Sequence, residues 1–307
     1  MVSFTPATHI PDLSGKVILI TGGNTGLGKE AALRLAKHNP ANIFIGTRSK
    51  AKGEAAIAEI VAEIPNAKLT ILQMDLASLS SVHTAAKEFL SCNSRLDILM
   101  NNAGIMAVPP QLTADGYEIQ FGTNHLGHAL LTKLLLPTML KTAQQPGSDV
   151  RIITLSSNSH NRPPAEGIQF DHLRSAAGPN TTALTRYGQT KLANVLHARE
   201  LARRYPSITT VAIHPGMVNT GLTTTMEKSF LLAKILAPII GFFMAVGIEE
   251  GALNQLWGAT SANVVSGEFY EPVGKNTSGS KLSRDEALAL KLWQWTEYEL
   301  NKPEYKL

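Results

Sequence analysis

A single cysteine, Cys92, in 307 residues excludes an intramolecular disulfide and a cysteine-rich zinc site, and makes a reducing, cytoplasmic compartment the expectation. Aromatic residues are sparse, at 6%, and no basic run is interleaved with them. The net charge of +4 and a pI near 9.1 therefore do not describe a nucleic-acid surface. No Gly/Ser- or Pro-rich linker divides the chain, so one domain over 1–307 is expected. Residues 1–15 lack a cationic stretch followed by an apolar one and read as an irregular lead-in to the first strand. Tyr305-Lys306-Leu307 shares two positions with a peroxisomal address but has Tyr where Ser belongs. Neither Gly-x-Ser-x-Gly nor His-Glu-x-x-His occurs, which removes the usual anchors of hydrolases.

What is present is the composition of a globular protein, 44% hydrophobic and 17% charged, with mean hydropathy near zero. Short apolar runs recur at Val17–Ile20, Ile43–Ile45, Leu69–Leu72, Leu96–Met100, Val150–Leu155 and Ile208–Ile213. Runs apolar at nearly every position suit strands buried on both faces of a parallel sheet. Helical stretches lie between them at Leu27–His38, Ala51–Glu63, Ser80–Leu90, Asp115–Lys141 and Tyr187–Tyr205. The alternation predicts an α/β fold with a doubly wound parallel sheet (Rossmann fold), with ligands at the C-terminal strand ends.

The first strand runs into Thr21-Gly22-Gly23-Asn24-Thr25-Gly26-Leu27-Gly28, and helix-forming residues follow. Glycines 22, 26 and 28 permit a tight turn and close approach to a pyrophosphate, with free helix N–H groups facing it. A P-loop is the competing reading of Gly23 to Lys29, but Glu30 stands where a magnesium-binding hydroxyl belongs. A structural turn without ligand is the other alternative.

Tyr187 and Lys191 are four apart and leave one face of a helix. An ammonium about 4 Å from a phenolate stabilises it by up to roughly 4 kcal/mol at an effective dielectric near 20, before desolvation subtracts from that. The spacing thus predicts a tyrosine tuned for general acid–base work. Tyr298 and Lys302 repeat the spacing in a polar C-terminal helix without a partner segment and read as a solvated pair. What distinguishes Tyr187 is Ser156-Ser157, hydroxyls at the end of a strand that opens into the expected crevice.

Together these residues resemble the short-chain dehydrogenase/reductase family over nearly the whole chain. Asn101-Asn102-Ala103-Gly104 resembles the element after the family's fourth strand, and Asn124, within Phe121-Gly-Thr-Asn-His-Leu-Gly127, its helix asparagine. The resemblance implies that Tyr187 exchanges a proton with substrate oxygen, Ser157 holds that oxygen, Lys191 lowers the Tyr187 pKa and binds ribose hydroxyls, and Asn124 positions a water. It implies a cofactor held by Gly22, Asn24, Thr25, Gly26, Leu27 and Gly28, by Asp75 and Leu76 near adenine, and by Asn102, Ala103 and Gly104. Tyr187, Lys191, Pro215, Gly216, Val218 and Thr220 would seat the nicotinamide end. The long stretch Asn161–Thr185 departs from the family's compact pattern and is similar to that of the retinol-dehydrogenase-like branch, as is Gly127-His-Ala-Leu-Leu-Thr132. It leaves Ser156 as an alternative to Ser157.

The second strand is followed by Arg48 without an acidic residue that would grip a ribose 2′-hydroxyl, so NADP(H) is the expected cofactor. The apolar run Phe230–Ile248 is long enough to suggest a membrane span, but Lys234 and Pro238 interrupt it. Residues 222–248 are read instead as an apolar lid over a lipophilic carbonyl or alcohol, with shallow membrane contact as the alternative. A reductase of C=C or C=N bonds and a catalytically silent NADP(H)-binding protein are the competing functions. A homo-oligomer is a further expectation. No metal is expected: His125 and His128 are read as packing residues, and Trp293 and Trp295 as packing on the domain or an oligomer surface. His160 is a minor candidate for substrate contact.

Overall fold

The computed structural model describes residues 3–218 and 246–306. Its elements in chain order are β1 (Val17–Thr21), α1 (Gly26–Ala36), β2 (Asn42–Thr47), α2 (Lys50–Glu63), β3 (Leu69–Gln73), α3 (Leu79–Cys92), β4 (Ile98–Asn101), α4 (Gly127–Ala143), β5 (Arg151–Leu155), α5 (Ala183–Arg204) and β6 (Thr209–Ile213). Then follow α6 (Ile248–Thr260), β7 (Phe269–Glu271), β8 (Lys275–Asn276) and α7 (Glu286–Leu300). The eight strands form one sheet in the order β3-β2-β1-β4-β5-β6-β7-β8, parallel except for the β7–β8 pair.

Strand β1 shows why the runs are continuously apolar. Val17 and Leu19 pack into the core on one face of the sheet, while Ile18 and Ile20 enter the core on the other. With both faces covered, the strand is apolar up to Thr21 at its C-terminal end. The strand order reverses between β1 and β4, which opens a crevice at their C-terminal ends.

Two expected boundaries move. The helix expected from Asp115 begins only at Ile119, because Gly116 takes a φ of +79° in a turn closed by Thr113 and Tyr117, and Glu118 caps the helix through its side chain. One turn later the backbone widens into a π-helical stretch, Gly122–Leu126, before α4 begins. At the other end of the site α5 starts at Ala183, before Tyr187, because Thr182 and Thr185 form a reciprocal capping box.

The C-terminal α7 lies across α5. Its Trp295 meets Phe121 and Tyr117 edge-on, and Trp293 stacks on His197 with the Arg204 guanidinium over its other side. Both tryptophans therefore pack the domain. No described helix is long and apolar enough to cross a membrane. Thr220, most of the expected lid at 222–248 and the run Phe230–Ile248 up to Ala245 lie outside the described residues.

Candidate active site

The crevice is a cavity of about 720 Å³, within the roughly 300–1,000 Å³ usual for ligand sites. At one side stands the glycine turn. Gly22 and Gly26 adopt φ of +66° and +52°, a region that favours glycine. At Gly28 a Cβ would lie 2.4 Å from the Gly22 carbonyl oxygen and 2.6 Å from Asn102 Nδ2, so only hydrogen fits where the helix crosses the turn. Helix α1 opens onto the cavity from an extended Thr25 whose side chain makes no capping hydrogen bond, and its first turn holds no acidic residue. Its leading N–H groups are left for an anion. These features fit the pyrophosphate of a dinucleotide. They do not fit a P-loop, since Lys29 turns to Glu59 on α2 and Glu30 to Arg34.

Asn24, Thr25, Gly26 and Leu27 line this end, and Asp75 and Leu76 line the cavity from the loop after β3. Arg48 is exposed at the end of β2 and borders the same cavity. Beside it stands Lys52, which the sequence reading overlooked. The signal was available: Ser49 caps α2 by accepting from the Lys52 N–H, which places Lys52 in the first helical turn after Arg48.

Asn102, Ala103 and Gly104 continue the lining. Asn102 Nδ2 donates to the Thr21 carbonyl at 2.7 Å, and the N–H groups of Asn102 and Ala103 both donate to Thr21 Oγ1 at 2.9 and 3.0 Å. His128 extends this cluster. Its Nδ1 lies 3.1 Å from the Asn124 carbonyl oxygen, which can only accept, so the proton sits on Nδ1 and Nε2 accepts from the Thr21 hydroxyl at 2.8 Å. Burial draws His128 down to about 4, so the ring is neutral and this assignment holds through the neutral range. The histidine read as a packing residue thus joins the glycine turn to the helix that carries Asn124.

The Asn124 side chain is engaged with the loop after β4. Its Oδ1 accepts from the Ile105 N–H and its Nδ2 donates to the Ile105 carbonyl, both at 2.8 Å, and Nδ2 also meets Thr190 Oγ1 at 3.1 Å. The carboxamide braces the loop after Gly104 and does not line the cavity.

Tyr187 and Lys191 line the cavity from α5, but not as the expected close pair. Lys191 Nζ donates to the Leu155 carbonyl at 3.0 Å and stands 5.4 Å from the centre of the Tyr187 ring. The reason is the end of β5, where the Leu155 carbonyl takes hydrogen bonds from both Lys191 and Asn194, neighbours on one face of α5. Burial pushes the Tyr187 phenol up to about 12, the Ser157 hydroxyl opposing that shift, and burial draws Lys191 down to about 8. Desolvation thus dominates the tyrosine, and the influence opposing it is the Ser157 hydroxyl.

The two serines separate. Ser156 lines the cavity with its Oγ donating to the Lys191 carbonyl at 2.8 Å, whereas Ser157 lies outside the lining with its hydroxyl beside the phenol. A close approach puts it there: a Cβ on Gly188 would lie 2.5 Å from the Arg162 carbonyl oxygen and 2.7 Å from that of Ser159, so the helical turn Asn158–Asn161 rests directly on α5 one residue past Tyr187. Pro215 borders the cavity, but Gly216 and Val218 do not, and Val218 packs instead on Gly251 of α6. Ile105, Met106, Val108 and Ile119 give the cavity an apolar wall that the sequence reading did not single out. Their common signal was only their place after the Asn-Asn-Ala-Gly element and before Asn124.

Tyr298 is exposed on α7, as expected of a solvated pair. Among the described residues no group of three or more His, Cys, Asp or Glu side chains could hold a metal.

Comparison with known proteins fits this geometry. Residues 16–170 match the family model described as short chain dehydrogenase. The chain is 41% identical to the short-chain dehydrogenase/reductase drtF of Aspergillus calidoustus, over 96% of each chain. It is 36% identical to retinol dehydrogenase 12 of Mus musculus, over 92% of this chain and 85% of that one. Among solved structures, the 3-ketoacyl-(acyl-carrier-protein) reductase from Brucella melitensis, complexed with NADH, is 26% identical, with a TM-score of 0.64 over 85% of this chain and 98% of that one. The chain belongs to the short-chain dehydrogenase/reductase family, in its retinol-dehydrogenase-like branch, and is an oxidoreductase built to use a nicotinamide cofactor.

Proposed function

We propose that the protein interconverts a lipophilic ketone or aldehyde and its alcohol, uses NADP(H), and moves the proton through Tyr187. The observation that carries this reading is that Tyr187 and Lys191 line the same cavity as Ile105, Met106, Val108 and Ile119, with the Ser157 hydroxyl beside the phenol. A nicotinamide cofactor, when bound along the glycine turn, would supply or accept the hydride. Tyr187, protonated in the neutral range, donates to a carbonyl oxygen as charge develops there; Ser157 holds that oxygen by hydrogen bond. Lys191 adds positive charge beside the phenol and offers its ammonium to ribose hydroxyls. Asn124 acts through Ile105, fixing the loop that shapes the apolar wall.

NADP(H) is favoured over NAD(H) because Arg48 and Lys52 flank the end of β2 where an acidic residue would otherwise meet a 2′-hydroxyl. The name of retinol dehydrogenase 12 and the apolar composition of 230–248 agree with a bulky lipophilic substrate. A single cysteine agrees with a reducing compartment. The test is a panel of n-alkanals, alkanones and ring ketones with NADPH or NADH, followed at 340 nm. KM should fall along each homologous series, each methylene tightening binding by up to about 0.8 kcal/mol. Preference for small charged substrates, or for NADH, overturns the corresponding part of the reading.

A further inference from the structure

His160 lies three residues beyond Ser157 and is buried, yet it is neither at the cavity wall nor idle. Its Nε2 faces the backbone N–H of Ser280 at 3.1 Å, and a backbone N–H can only donate. Nε2 must therefore be the bare nitrogen, which places the ring proton on Nδ1. Nδ1 in turn lies 2.7 Å from the Ser157 carbonyl oxygen, which can only accept. The two contacts are consistent with a single species, the neutral Nδ1–H tautomer, and with no other. The ring is packed against Phe269 of β7, with centroids 4.6 Å apart.

The far partner is itself fixed. Ser278, with φ of +58°, is tied through its carbonyl to Arg199 of α5 at 2.9 Å, and at Gly279, φ +71°, a Cβ would meet Ser283 Oγ at 2.4 Å and His160 Nε2 at 3.3 Å. The segment after β8 is thus folded tightly around the imidazole from a point 120 residues away in the chain.

We propose that His160 is a positioning residue: its neutral imidazole ties the Ser157 carbonyl to the Ser280 N–H, so that the segment between β8 and α7 sets where the Ser157 hydroxyl stands against Tyr187. This rests on the role given to Ser157 above. It assigns to the C-terminal segment a part in the chemistry although none of its residues borders the described cavity.

A double-mutant cycle separates the idea from simple packing. Turnover of decanal with NADPH is measured for wild type, His160→Ala, Ser157→Ala and the double variant, with NADPH affinity from the rise in its fluorescence. His160→Ala should lower kcat by about 10- to 100-fold, the scale of a misplacement approaching 1 Å, with NADPH affinity unchanged. In the Ser157→Ala background the same change should lower kcat no further. An equal fall in both backgrounds, or no fall with Ser157 present, overturns the proposal. If Ser157→Ala alone leaves kcat intact, the reading of the active site fails and this inference with it.

His160→Asn and His160→Gln guard against a variant that does not fold: Asn keeps a donor near Nδ1 and Gln an acceptor near Nε2, so Asn should retain more turnover than Gln. Amide exchange gives a readout free of substrate. In His160→Ala the peptides covering 156–162 and 276–284 should both exchange faster, and acceleration confined to 156–162 overturns the link. Imidazole ¹⁵N shifts at neutral pH, assigned through the His160→Asn spectrum, should show the proton on Nδ1; a proton on Nε2 refutes the arrangement outright.

Discussion

Replacing Gly188 by alanine tests how Ser157 is brought to Tyr187. The new methyl would stand 2.5 Å from the Arg162 carbonyl oxygen, and real Cβ contacts essentially never fall below 3.0 Å, so the gap must open by at least 3.0 − 2.5 = 0.5 Å. The obstructing atoms are backbone, Arg162 and Ser159, and cannot rotate out of the way. Either the turn Asn158–Asn161 lifts from α5 or α5 shifts beneath it, and Ser157 caps that turn through its own hydroxyl, so it travels with it. Overpacking of this kind costs about 1–3 kcal/mol. At about 2–4 °C per kcal/mol, Tm should fall by about 2–12 °C. Since a 1 Å misplacement of a reacting group costs about 10²-fold, half of that displacement should lower kcat by roughly 10-fold. Thermal melts, NADPH titration and turnover of decanal measure the three quantities separately. Gly258→Ala is the control: its Cβ would meet nothing closer than 3.6 Å, and exchanging a helical glycine for alanine should be neutral or stabilising by up to about 1 kcal/mol. A Gly188→Ala protein with wild-type Tm and kcat would refute the account of how the serine is placed.

Tyr187→Phe should bind NADPH normally and lose about 10²- to 10⁴-fold in turnover, with Tyr298→Phe close to wild type; an active Tyr187→Phe protein sinks the assignment. Arg48→Ala should weaken NADPH and leave NADH affinity nearly unchanged, measured by fluorescence titration, and an equal effect on both would show that Arg48 does not meet the 2′-phosphate. With the phenol held up to about 12 by burial and Lys191 drawn down to about 8, proton donation is available throughout the neutral range. Carbonyl reduction should therefore be level from about pH 6 to 7 and decline through about pH 8 as Lys191 loses its proton, while alcohol oxidation, which needs the phenolate, should rise with pH; an oxidation rate that falls between pH 6 and 9 contradicts this. Replacing Arg186, buried against Glu118 at 3.1 Å and donating to the Val108 carbonyl, by Met should destabilise the protein by about 3–5 kcal/mol, because burial already raises the Glu118 pKa and the loss of Arg186 removes its ionic partner; a melt within 2 °C of wild type would argue otherwise.

Much of the architecture was legible because burial on both faces leaves a simple mark. The six apolar runs correspond to β1 to β6 within a few residues, and the glycine turn follows β1 as its spacing required. Strands β7 and β8 escaped because three and two residues carry no period, and they exist through pairing with β6 and each other. The start of the Asn124 helix was misplaced because Asp115-Gly116, a turn signal, was read as the first residues of the helix, whereas Gly116 turns the chain at positive φ. Tyr187 and Lys191 could be picked out by spacing, yet their electrostatics could not, since the Leu155 carbonyl that captures the ammonium is presented by the C-terminal end of β5, which only the fold brings against α5. The roles of His128 and His160 were invisible for a related reason. A neutral histidine bridging two backbone groups has the same sequence signature as one that merely fills space, and only its partners tell them apart.

The helix α7 closes the protein in a way that bears on its synthesis. Tyr117 donates to Glu299, 182 residues later, and His125 meets Thr296, 171 residues later, while Trp295 covers Phe121 at the entrance to the π-helical stretch. A growing chain can therefore pair β1 to β6 while still on the ribosome, but the wall behind Asn124 has no cover until α7 has left the exit tunnel. Until then Phe121 and Tyr117 are exposed apolar surface on an otherwise formed sheet, the kind of intermediate that chaperones hold and that aggregates when they do not. Premature termination before Glu286 would leave a chain with its glycine turn and its tyrosine in place and its active-site helix uncovered, so nonsense changes late in the gene should act through aggregation and turnover of the protein before any question of catalysis arises.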